Sequence, residues 1–109
     1  MRKLGLVFLV GVALVLLPVI LVLAFECQAR IKEANDAISA VDPTVAKIAD
    51  AKKKGYITTF IMVAKDLSKA AEADHKKAAD TKDASLHYVS AAKAKLAKMV
   101  ADQAKALAK

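Results

Sequence analysis

Residues 27–48 read CQARIKEANDAISAVDPTVAKI, and their apolar members fall at Cys27, Ile31, Ala34, Ile38, Val41, Val45 and Ile48. The steps alternate four and three, the spacing that keeps one stripe of a helix facing a partner helix. This seam sets the fold class as all-α. Asp42-Pro43 interrupts it chemically but not in phase. Asp caps a helix start and Pro fits the first helical position, so a kink or restart is expected there. Lys52-Lys53-Lys54-Gly55 then reads as a stop, with cations at the negative end of the helix and Gly just beyond it. The first helix is thus expected over about 26–53.

On the N-terminal side, Leu4 to Phe25 reads LGLVFLVGVALVLLPVILVLAF, without a charge or a strongly polar residue. As a helix it would run roughly 33 Å, enough to cover a hydrocarbon core of about 30 Å. Pro18 is tolerated in a bilayer span, where it kinks the helix. Residues 1–25 are therefore expected to be a transmembrane signal anchor running on into the amphipathic helix. A cleaved signal peptide is the competing reading, with Val22-Leu23-Ala24 or Cys27-Gln28-Ala29 as small-residue sites, but its apolar run is usually shorter, about 7–15 residues. A lipoprotein signal ending at Cys27 fits poorly, because Glu26 precedes the cysteine. Arg2, Lys3 and the amine lie before the span; Glu26, Arg30, Lys32 and Glu33 nearly cancel after it. The positive-inside rule then puts the N-terminus in the cytoplasm and residues 26–109 outside it.

On the C-terminal side, a second seam runs Ile57, Phe60, Ala64, Leu67, Ala71, Asp74, Ala78, in a helix expected over 56–79. Asp80-Thr81-Lys82-Asp83 is a polar break, weaker than the Gly55 stop. A third seam, Val89, Ala92, Leu96, Met99, Gln103, Ala106, widened by Val100 and Leu107, belongs to a helix expected over 83–108. The expected architecture is a single transmembrane helix continuing into an amphipathic helix, then two further helices that complete a small hairpin or three-helix bundle. Ile57-Thr58-Thr59-Phe60-Ile61 has no strand to pair with. Many seam positions are Ala, which favours helix locally but buries little apolar area. So short a region is therefore expected to lean on copies of itself, a partner or the membrane.

Charge and chemistry narrow the function classes. The net charge is +7; setting Arg2 and Lys3 aside leaves 16 basic against 11 acidic residues, or +5, after the span. The bases are Lys save Arg2 and Arg30, and there is no Trp, a poor match to specific nucleic-acid readers, which favour Arg and aromatic stacking. One cysteine, Cys27, excludes an intrachain disulfide; it reads as a small hydrophobe at the membrane edge. His75 and His87, with Asp74, Asp80 and Asp83 nearby, read as exposed polar residues rather than metal ligands. With Gly only at positions 5, 11 and 55 there is no phosphate loop, and no Cys–His or Ser–His–Asp arrangement is suggested. No catalytic residue, cofactor site or metal site is expected.

The basic start, the span and a helix opening Ala29-Arg30-Ile31-Lys32-Glu33-Ala34-Asn35-Asp36 resemble the first span and helix of bacterial chemoreceptor sensor modules. Neither a second span nor a signalling region follows, so that function is not carried over. The function expected is a non-enzymatic, membrane-anchored helical scaffold or accessory subunit of a larger membrane complex or homo-oligomer. Its interaction seam would comprise Ile31, Ile38, Val41, Val45, Ile48, Phe60, Leu67, Val89, Leu96 and Val100. Its partners would be the lipid bilayer and a protein partner or further copies of itself. The alternative is a secreted or periplasmic Lys-rich helical protein that binds anionic membrane or acidic partner surfaces.

Overall fold

Proline ends the first helix. A computed structural model of the chain describes residues 25–109. The expected span, apart from Phe25, and its continuity with the first amphipathic helix lie outside those residues. Helix α1 covers 25–41 and passes at Asp42 into a 3-10 turn, Asp42–Lys47, with Pro43 in its opening positions. Pro43 has no N–H and its ring crowds the preceding turn, so the α-helical ladder cannot pass through it. The Thr44 hydroxyl donates to the Val41 carbonyl at 2.6 Å, covering one acceptor that the broken helix leaves open.

The chain is then extended through Ile48, and Asp50 starts the next helix. Its carboxylate accepts from the backbone N–H groups of Lys52 at 2.9 Å and Lys53 at 3.2 Å. Helix α2, Ala51–Thr81, therefore contains Lys52–Gly55 in its first turns. This corrects the expected helix over 26–53: the lysines and Gly55 open a helix instead of closing one. Asp50 decides it, because a capped N-terminus satisfies donors that the lysine run alone would leave exposed.

Helix α2 ends where expected, at the polar break. Lys82 adopts the left-handed conformation, φ 54°, and its N–H bonds back to the Ala78 carbonyl. Asp83 caps helix α3, Ala84–Ala108, accepting from the Ser85 backbone at 3.0 Å and the Ser85 hydroxyl at 2.6 Å. These two donors hold the Asp83 carboxyl below its ordinary value. The cap therefore favours the fold above the ordinary carboxylate range, and that contribution is lost as pH falls through the lowered value. Helices α2 and α3 are therefore separate, as the polar break led us to expect.

The three helices run up, down and up. Contacts between α1 and α2 fix their antiparallel course: Lys65 meets Asp42 at 2.9 Å, Ser68 donates to Asn35 at 2.5 Å, and Asn35 donates to Glu72 at 3.3 Å. The inward stripes are Cys27, Ile31, Ala34, Ile38 and Val41 on α1; Ile57, Ile61, Ala64, Ser68, Ala71 and Ala78 on α2; and His87, Ser90, Ala91, Ala94, Ala97, Ala101 and Ala104 on α3. The bulk is uneven. Ile38, Val41, Ile57 and Ile61 gather with Ala64, Ala101 and Ala104 near the α1–α2 connection. Farther along, Ile31 meets Ala71 and Ala94. At the opposite end the interior holds Cys27, His87 and Ser90. Among the described residues no helix is long and apolar enough to cross a membrane.

Gly55 offers a direct test of the α2 start. Its φ is not positive, and a Cβ built on it meets nothing within 4 Å. Gly55→Ala is therefore expected to raise stability by about 0.5–1 kcal/mol through helix propensity and a restricted unfolded chain. Denaturant titration of the full chain measures it. A loss of stability of similar size would restore the helix-stop reading.

Candidate functional site

The sequence-derived seam residues divide into inward and outward sets. Ile31, Ile38 and Val41 are buried, and Val45, Ile48, Phe60 and Val100 pack partly buried against the largest cluster. Leu67 is half-buried. Val89 and Leu96, by contrast, are 42% and 48% exposed, with Met99 beside them at 66%. Helix α3 thus carries two stripes of heptad spacing. The one with larger side chains was expected inside, but the stripe of alanine and serine occupies the interior. Close helix approach explains the choice. The Ser90 hydroxyl reaches across to the Ala71 carbonyl at 2.6 Å, a contact that a Leu or Met at the interface would prevent.

The outward stripe on α3 lies among lysines that are mostly matched by acids. Lys93 meets Asp74 at 2.6 Å, Lys95 meets Glu26 at 3.6 Å, and Lys98 meets Asp102 at 2.9 Å. The Asp102 carboxylate raises the Lys98 ammonium above its ordinary value. Such exposed pairs contribute little to stability, but they neutralise much of the basic face. Other exposed apolar side chains are Phe25 on α1, Tyr56, Met62 and Val63 on α2, and Tyr88 and Leu107 on α3.

The second feature lies at the end of the bundle that holds the α2–α3 turn. Cys27 on α1, His75 on α2 and His87 on α3 each bring one ligand atom to a common point, all within 4.8 Å of one another. Cys27 is fully buried and His87 is 3% exposed, so the expectation of two exposed histidines on Lys-rich helices is corrected for His87. The Cys27 thiol donates to the His87 carbonyl at 2.8 Å, and its sulfur stands 3.6 Å from His87 Nδ1. The two imidazoles meet edge to face, with centroids 5.4 Å apart at 61°. His75 Nδ1 is buried without a hydrogen-bond partner.

Burial dominates the electrostatics here. It pushes the Cys27 thiol up, while the Ser90 hydroxyl and the Ala91 backbone partly oppose the shift. Burial, then the neighbouring His75, holds His87 below its ordinary value, against a weaker pull from Asp83. Both groups therefore favour their neutral forms. A neutral imidazole has a lone pair to offer, whereas the buried thiol must give up its proton before it can act either as a nucleophile or as a metal ligand.

Sequence reasoning missed this cluster, although part of its signal was legible. Cys27 already stood first in the α1 seam. Counting back along α3 from Ala104 in steps of three and four passes Ala101, Ala97, Ala94 and Ser90 to reach His87. Choosing the larger side chains of α3 for the core put His87 off that face.

Burial of Cys27 makes a kinetic prediction. In the folded full chain a soluble thiol reagent should label it at least about 100-fold more slowly than in denaturant, because reaction waits on local opening. Stopped-flow or mass-spectrometric labelling reads the two rates. Equal rates, or ready disulfide-linked pairing of folded copies, would place Cys27 at the surface.

No family model, curated protein or solved structure matches this chain.

Proposed function

We propose that this protein is a non-enzymatic, membrane-anchored helical scaffold or accessory subunit that associates through the outer face of α3. The observation that carries the reading is the outward heptad stripe of Val89, Ala92, Leu96 and Met99, whose larger members stand exposed while alanines fill the interior. A monomer gains nothing from holding those side chains in water. A second helix laid along the stripe would bury them at roughly 25 cal/mol per Å². The apolar segment from Leu4 to Phe25 supports the anchor, and the charge balance across it supports a cytoplasmic N-terminus with the bundle outside. Binding to anionic surfaces has less support, since Lys93, Lys95 and Lys98 already face carboxylates.

The test is the native mass of the full chain extracted in mild detergent. The expected result is an assembly of at least two copies, or a stable complex with another membrane protein. Leu96→Ser together with Met99→Ser should release the monomer without loss of helicity, because substitutions of exposed residues ordinarily change stability by less than about 0.5 kcal/mol. A lone monomer in the unaltered protein, with nothing co-purifying, would contradict the proposal.

A further inference from the structure

We infer that Cys27, His75 and His87 form a binding site for one zinc-class transition-metal ion, with one ligand drawn from each of the three helices. The donor set fits such an ion. A thiolate and two imidazoles suit borderline to soft first-row ions, zinc among them, and do not suit calcium or magnesium. The distances fit as well. Sulfur at about 2.3 Å and nitrogen at 2.0–2.1 Å from a tetrahedral ion stand roughly 3.5 Å apart. Cys27 Sγ and His87 Nδ1 are 3.6 Å apart, and the widest separation within the triad does not exceed 4.8 Å. Ligation would draw the widest pair in by about 1 Å.

The site also carries an unmet demand. A buried polar atom ordinarily has a partner, yet His75 Nδ1 has none. In so small a bundle a buried Cys–His–His layer also displaces apolar contacts that would otherwise stabilise it. Metal ligation supplies a reason for this composition, because the ion's binding energy adds to the folding energy. The site also has a solvent-facing side. His75 lines an open groove of about 340 Å³ together with Gln28 and Glu72, while Cys27 and His87 lie beneath it, so of the three ligands it is His75 that borders solvent. On binding, the Cys27 thiol exchanges its proton for the metal; the proton passes to solvent, and both histidines bind as neutral imidazoles. The ion would pin α1 at Cys27 to the α2–α3 turn, at the end of the bundle that holds the fewest branched apolar side chains among the described residues.

The experiment uses the full chain without a histidine tag, reduced and in mild detergent, titrated first with cobalt(II) and then with zinc(II). The expected result is one cobalt per chain, a thiolate-to-cobalt charge-transfer band in the near ultraviolet, displacement by zinc, and a higher melting temperature with either ion. Cys27→Ser should remove the band. His75→Gln, at a half-buried position, should weaken cobalt binding at least tenfold with helix content unchanged. The absence of a thiolate band at saturating cobalt overturns the inference in the unaltered protein, whatever the variants do. So does a band whose affinity ignores His75→Gln. Either failure leaves the scaffold proposal standing, since that proposal rests on the opposite stripe of α3.

Discussion

The close approach of α2 and α3 governs the rest of the structure. Ala64, Ala71 and Ala78 face Ala94, Ala97, Ala101 and Ala104, all with negligible exposure, and the Ser90 hydroxyl is near enough to bond the Ala71 carbonyl. Methyl groups bring two helices together with many short contacts but remove little apolar surface from water. The pair is therefore precise in register and modest in energy. The branched apolar bulk packed on the alanines comes from Ile31, Ile38 and Val41 of α1 and from Ile57 and Ile61 of α2.

This constraint sorts the side chains of α3. Once the alanine stripe is inside, Val89, Leu96 and Met99 must point outward, and His87 must point inward at the turn end. The outer stripe and the Cys27–His75–His87 layer are thus two consequences of one packing decision. One leaves a surface that association would cover. The other puts a neutral thiol and two imidazoles into a layer where branched apolar residues would ordinarily stand. Both proposals concern the described bundle: one adds a partner along its outer α3 face, and the other adds an ion at the end where the described residues hold little apolar bulk.

Much of the architecture was legible in the sequence. The α1 seam from Cys27 to Val41 is the inward face, and Asp83 starts α3, because apolar spacing and capping chemistry act locally. The failures share a cause, which is competition between signals of similar strength. At Lys52–Gly55 a plausible helix stop lost to the Asp50 cap just upstream. On α3, side-chain size favoured the Leu96 stripe, while the spacing between helices favoured the alanine stripe; that spacing is set by residues on α2 that no local pattern on α3 can reveal. The Cys–His–His cluster joins three helices across 48 and 12 positions of chain, counted from Cys27 to His75 and from His75 to His87, so only the tertiary arrangement brings it together.

The central claim is that α3 turns its small side chains inward. Nuclear Overhauser contacts in the methyl-labelled full chain test it most directly. The account predicts cross-peaks joining the Ala94 methyl to Ala71 and Ile31, and joining Ala101 or Ala104 to Ile38, Val41 or Ile57. Leu96 and Met99 should show none to the α2 core residues of the same chain. Intrachain cross-peaks from Leu96 and Met99 to Ala64 and Ala71, with Ala94 and Ala101 silent, would mean that α3 is rotated. Both the outer association face and the His87 ligand position would then be lost.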